Sequence, residues 1–163
     1  MADGGASSMI MLITALLVSG GASALLISEW GDALRVVQTE QRAATERDGV
    51  SVALAGDHAM VAYNNTTDTI TLYFVNTGEF ELDTSTLEVL IDGEAPTSSS
   101  TSVLPSGTEW NPGYILEIEV TDTTWNFADG DDVSVYFVGV SERISGHVHS
   151  ASTSAEVRLN AFS

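Results

Sequence analysis

The sequence predicts an α+β protein: one long N-terminal helix, hydrophobic and then amphipathic, followed by an antiparallel β-sandwich of immunoglobulin-like size. Three features predict it. No ionisable side chain occurs from Gly4 to Ser28, although the chain of 163 residues carries a formal charge of −18. Helical spacing then persists as far as Asp48. Beyond Gly49 the apolar residues recur at every second position instead, in short runs separated by turn signals.

The helix comes first. Met9 to Ile27 is 19 residues, which at 1.5 Å per residue makes about 28 Å, close to the roughly 30 Å hydrocarbon thickness of a bilayer. It is long enough to span. A cleaved signal peptide is the competing reading, but its apolar part usually has about 7 to 15 residues behind a positive flank, and here the flank holds Asp3 and no Arg or Lys. Met9, Ile10, Leu12, Ile13, Leu16, Leu17, Leu25, Leu26 and Ile27 supply the anchoring surface. Ala15, Ser19 and Ser23 fall four apart, with Gly20 and Ala24 beside them. Such a nearly flat stripe lets helix backbones approach closely in an apolar medium.

After Trp30 and Gly31 the chain turns polar but keeps good helix formers. Leu34, Val37, Gln41 and Ala44 recur at helical spacing, Arg42 and Glu46 stand four apart as a surface pair, and Gly49 supplies the stop. The expected helix has roughly 40 residues and a length of about 60 Å. Domain boundaries follow at 1–49 for the membrane-spanning or filament-core helix and 50–163 for the sandwich.

Two signals conflict over which side of a membrane the sandwich occupies. Arg35, Arg42 and Arg47 follow the apolar stretch and would hold the C-terminal part in the cytoplasm. Asn64-Asn65-Thr66-Thr67 contains two overlapping N-x-[ST] acceptors, which makes Asn64 and Asn65 candidate glycosylation sites of an exported chain.

The strands are read in order. Val50 to Ala55 and His58 to Asn64 are apolar runs; in Thr69 to Asn76 Ile70, Leu72 and Phe74 share one face; in Leu87 to Asp92 Leu87, Val89 and Ile91 do. Tyr114 to Val120 places Leu116, Ile118 and Val120 opposite Glu117 and Glu119, and Asp132 to Val140 aligns Val133, Val135 and Phe137. Glu156 to Phe162 is a further strand and Arg143 to His149 a weaker one. Each reads as half-buried. Gly56-Asp57, Asn64-Asn65, Asn76-Thr77-Gly78, Asp92-Gly93, Asn111-Pro112-Gly113 and Gly130-Asp131 punctuate them, and Ala95 to Gly107 reads as a low-complexity loop. Seven or eight short strands at this spacing favour a sandwich over alternating βα units.

Composition bounds the function. With 23 Asp and Glu against five Arg and no Lys, the surface repels nucleic acid. It suits molar salt, where a Debye length of about 3 Å suppresses self-repulsion; an acidic mesophilic protein would share the composition. No Cys is present, so disulfides, thiolate metal sites and a Cys nucleophile are excluded. Neither a G-x-S-x-G elbow nor a phosphate-binding glycine loop occurs, and no catalytic site, cofactor or metal is expected. His147 and His149 would share an exposed strand face with no third ligand placed by sequence. The acidic run Asp129 to Ser134, like the pair Asp92 and Glu94, offers hard oxygen ligands in an order unlike an EF-hand loop. Trp30 sits where the oily segment ends, as interfacial aromatics do. Trp110 and Trp125 flank the Tyr114 to Val120 strand as rim or core packing.

The opening ASSMIMLITALLVSGGASALL is similar to that of the archaellum accessory protein FlaG, and VNTG (Val75 to Gly78), VLIDG (Val89 to Gly93) and WNPGYILEIEV (Trp110 to Val120) follow in the order seen across one family. The whole resembles the archaeal flagellin (archaellin) family, which includes filament subunits and the accessory proteins FlaG and FlaF. One departure is the missing Lys or Arg before Gly4 and Gly5, where a dedicated peptidase would cut; it favours an unprocessed accessory protein. Asp3, on a flank that would stay cytoplasmic, is another. The resemblance implies a structural component of the archaellum at the archaeal cell surface. Its helix would lie in membrane lipid or a filament core, and its sandwich outside the cell. Implied partners are further copies of the chain in a filament or oligomer, other archaellum proteins and surface-layer protein. A membrane-tethered, pilin-like adhesin or surface-layer-binding module is the alternative.

Overall fold

Helix α1 spans Gly4–Asp48, and eight strands follow among the described residues: β1 Val52–Ala55, β2 Val61–Asn64, β3 Thr69–Asn76, β4 Leu82–Ile91, β5 Ser98–Leu104, β6 Ile115–Thr121, β7 Asp132–Ser141 and β8 Ser150–Phe162. The structure is a computed structural model that describes residues 4–105 and 107–163; the Asp3 flank lies outside them. Contacts divide the chain into two units, Met1–Ala44 and Thr45–Ser163. The last turn of α1 therefore folds with the strands.

No Pro interrupts the first 48 residues, so nothing forces the helix to break. At its end Gly49 N–H donates to Thr45 O at 3.1 Å and Val50 N–H to Arg47 O at 3.1 Å. Gly49 is required by space rather than by a left-handed backbone. A Cβ there would lie 2.6 Å from the Phe80 ring, and one on Gly78 would lie 2.5 Å from Gly49 O and 2.8 Å from Ser51 N. Two glycines thus let the outgoing chain and the turn after β3 touch backbone to backbone.

β3 is the hub. One edge pairs with β6 throughout; the other takes β2 at its start, where Ile70 faces Tyr63, and β1 at its end, where Asn76 faces Val52. β5 continues this layer beyond β6. The second layer is β4-β7-β8. β8 joins the two, because Ser150 to Arg158 pair antiparallel with β7 whereas Leu159 to Phe162 run parallel to β2. This parallel pair departs from the wholly antiparallel expectation; the pairing is mostly antiparallel and the fold sandwich-like.

The period of two fills the core. Ile70, Leu72 and Phe74 of β3 and Leu116, Ile118 and Val120 of β6 are buried, and Val133, Val135 and Phe137 of β7 with Val157 and Leu159 of β8 meet them from the second layer. Phe74 stacks on Phe137 with ring centroids 4.2 Å apart, and Trp110 meets Phe137 edge-on at 6.0 Å. Such pairs add to the burial of their own large apolar area. Trp110 is thus core and not rim.

Two expectations are corrected. Inside the predicted loop Ala95 to Gly107 lies β5, paired with β6 from Ser98↔Thr121 to Leu104↔Ile115. Its run of Ser and Thr buries Val103 alone, so no alternation announced it; backbone pairing along an edge holds it. Arg143 to His149, read as a weak strand, is a two-residue hairpin turn. Ile144 and His147 exchange backbone hydrogen bonds at 2.8 Å, and Ser145 (φ 50) and Gly146 (φ 90) both adopt left-handed backbone. This turn matches the right-handed twist of the strands it joins.

Candidate membrane or assembly segment

The apolar half of α1 is exposed all round. From Met9 to Ile27 the large side chains run from 49% exposed at Ile13 to 75% at Met11. Because Met9 to Ile13, Leu16 to Val18 and Leu25 to Ile27 are consecutive apolar runs, they cover every side of the helix rather than one stripe. Met9, Ile10, Leu12, Ile13, Leu16, Leu17, Leu25, Leu26 and Ile27, the anchoring residues of the sequence reading, all lie on this exposed cylinder. By length and composition the helix can cross a membrane, and its place near the N-terminus fits an anchor or a signal sequence.

Two of its hydroxyls are satisfied locally. The Thr14 hydroxyl donates to Ile10 O at 2.8 Å and that of Ser23 to Ser19 O at 2.9 Å. Neither needs water, so both tolerate an apolar surrounding. Ala15, Ser19, Gly20 and Ser23 are exposed. A Cβ on Gly20 or Gly21 would meet nothing within 4 Å, so packing within the chain does not demand these glycines. Trp30, at the polar end of the run, is 68% exposed.

The other sequence candidates separate. At the turn between β2 and β3, Asn64 Oδ1 accepts from the backbone N–H of Thr66 at 2.9 Å and Thr67 at 3.2 Å, whereas the Asn65 side chain is exposed. His147 and His149 do not share an exposed strand face: His147 closes the hairpin turn, and the side chain of His149 is 13% exposed. Among the described residues no group of three or more His, Asp or Glu is arranged to hold a metal ion. The acidic loops have partners of their own. Asp129 Oδ1 accepts from Ala161 N–H, Asp131 Oδ2 from Ala128 N–H, and Asp92 Oδ1 from Ser134 N–H at 2.7 Å.

Charge follows the same local logic. Arg158 reaches Asp132 with two nitrogens at 2.8 and 2.9 Å and holds its carboxyl below the usual range. Hydrogen bonds from Thr124, and then Thr97, lower Asp122. Glu81 is pushed up, by burial first and then by the carboxylates of Glu109 and Glu142. For Tyr63 the order is burial and then Asp68, whose Oδ1 accepts the phenol at 3.1 Å; both raise it.

Two polar centres were missed from sequence. Asn76, 1% exposed, donates through Nδ2 to Phe80 O at 2.8 Å and Trp110 O at 2.9 Å, while its Oδ1 accepts from Gly78 N–H at 3.0 Å. An Asn on the inward side of the alternation in TITLYFVN was its available signal. The second joins Glu46, Ser145 and His149, 99 residues apart at the closest hydrogen bond, and no local pattern marks it.

No family model and no curated protein matches the chain. Among solved structures that resemble it loosely are two chaperones. The E. coli chaperone DraB is 15% identical with a TM-score of 0.36, over 67% of this chain and 54% of that one. The periplasmic chaperone SfaE is 13% identical with a TM-score of 0.32, over 68% and 55%. The chain thus spans about half the length of each. Both are chaperones rather than archaellum proteins, and likenesses this loose say nothing of what this chain binds.

Proposed function

We propose that this chain is a structural component of the archaellum, the archaeal motility filament or its envelope-anchored stator, and most like an accessory protein of the FlaG kind. α1 anchors it in membrane lipid or packs with sister helices, and an immunoglobulin-like sandwich stands outside the cell. The observation that supports this reading is one chain holding two surfaces with opposite solvents: a cylinder apolar all round, and an acidic sheet unit with a closed core. Ala15, Ser19, Gly20 and Ser23 make the close helix contacts, and other archaellum proteins or the surface layer meet the sandwich. No catalytic step is assigned to it, and nucleic acid is not a partner.

A deletion strain of a swimming archaeon tests this directly. Loss of swimming with intact attachment to surfaces supports an archaellum part, and loss of attachment with intact swimming points to the pilin-like adhesin or surface-layer-binding module instead. Electron microscopy of the full chain beside residues 45–163 separates filament from tether. Regular filaments that need the helix mark a subunit; a detergent-dependent particle that captures surface-layer protein marks an accessory.

A further inference from the structure

The last turn of α1 is bonded to the β7–β8 hairpin through a largely buried pair. Glu46 Oε1 accepts the Ser145 hydroxyl at 2.8 Å. Its other oxygen, Oε2, lies 3.9 Å from His149 Nε2, with the two side chains only 12% and 13% exposed. That distance is too long for a hydrogen bond, and Nε2 is a buried atom without a hydrogen-bond partner. A neutral imidazole leaves Nε2 either an unpaired donor or an unpaired acceptor. The ring is also pinned at its backbone. His149 N–H donates to Ser141 Oγ at 3.1 Å and Ser141 N–H to His149 O at 2.8 Å, and Ser141 is itself buried.

We propose that Glu46 and His149 form a protonation-sensitive latch that tightens the last turn of α1 against the β7–β8 hairpin when the imidazole takes up a proton. Protonation turns Nε2 into a charged donor facing a carboxylate, and closing about 1 Å of the 3.9 Å gap makes a charge-assisted hydrogen bond. Other charged residues on the elements around the pair are Arg42, Arg47 and Asp48 on the helix, Glu142, Arg143 and His147 on the hairpin, and Glu79 and Glu81 on the turn after β3, where Glu79 N–H donates to Gly49 O and Glu81 O accepts from Glu142 N–H. Glu46 brings a carboxylate oxygen to within 3.9 Å of the ring nitrogen. The added donor makes the bond, so the latch closes where the imidazole is charged and opens where it is neutral.

Amide hydrogen exchange on the full chain in detergent tests this at the Gly49 and Val50 N–H groups, which close the helix on Thr45 and Arg47. Protection factors, which remove the intrinsic pH dependence of exchange, are expected to rise about tenfold between about pH 8 and about pH 5. Glu46→Gln, which keeps the shape and an acceptor for Ser145, is expected to abolish the rise. Nitrogen NMR of the His149 ring gives a second readout: the Nε2–H hydrogen bond present at about pH 5 should be lost in Glu46→Gln. Protection that stays level or falls on acidification, an equal rise in Glu46→Gln, or a ring hydrogen bond that persists in Glu46→Gln would overturn the proposal.

Discussion

The apolar half of α1 and the inner face of the sheet unit draw on the same residue types and treat them in opposite ways. Ile70, Leu72 and Phe74 are wholly buried by the chain's own strands, whereas Leu16, Leu17 and Ile27 are about two-thirds exposed or more. The contrast lies in period. Alternation every second residue gives a strand one oily face, which a second layer can cover; consecutive apolar residues around a helix leave no polar face to turn outward. The sheet unit completes its core by itself, and the apolar half of the helix is left uncovered by the rest of the chain.

Truncating the core is expected to separate the regions most sharply. Trp110→Ala removes a wholly buried ring and the donor that reaches Tyr114 O at 2.9 Å. It should cost the sheet unit about 3–5 kcal/mol, read as a lower urea midpoint, while leaving the helix in its apolar surrounding. The mirror change is Leu17→Arg, expected to weaken insertion by about 2.5–3.5 kcal/mol with no change in the urea midpoint of the sheet unit; flotation with vesicles reads the first and tryptophan fluorescence the second. Asn76→Ala leaves Phe80 O and Trp110 O without their donor and should cost about 1–3 kcal/mol in the same urea titration.

Ionic effects are smaller and spread out. The sheet unit carries 19 Asp and Glu against three Arg. Raising salt from about 0.1 M to about 1 M shortens the Debye length from about 10 Å to about 3 Å, so its melting temperature should climb; a level or falling value would remove the halophilic reading. The pH response has a definite sign. Asp83, held low by Ser85, and Asp122 and Asp132 are all depressed, so their stabilisation is present above the unfolded carboxylate value and is lost as pH falls through the folded one. Glu81 acts oppositely, because its raised value gives stability in acid that is lost as pH rises through it. A urea midpoint that falls on acidification, less steeply in Asp83→Asn, is the expected record.

The elements that sequence revealed are those whose period is set by burial. The alternating run Thr69 to Asn76 coincides with β3 at both ends, and the runs from Tyr114 and Asp132 begin within a residue of β6 and β7. β5 escaped because a Ser and Thr strand on a sheet edge buries too little to leave a pattern. The HVH segment misled because alternation in three residues cannot outvote Ser145 and Gly146 with left-handed backbone. The exposed apolar run of α1 was legible because it depends on composition. Asn76 and the Glu46–His149 pair were not, since both rest on contacts between distant segments that only the completed fold creates.

Cysteine accessibility tests the central contrast most directly, because the chain has no native Cys to confuse the label. In the membrane-bound or assembled protein, Leu17→Cys should resist a water-soluble maleimide until detergent or denaturant is added, while Ser154→Cys on exposed β8 labels at once. Equal labelling of the two positions in the intact assembly would contradict the account, because α1 would then be standing in water.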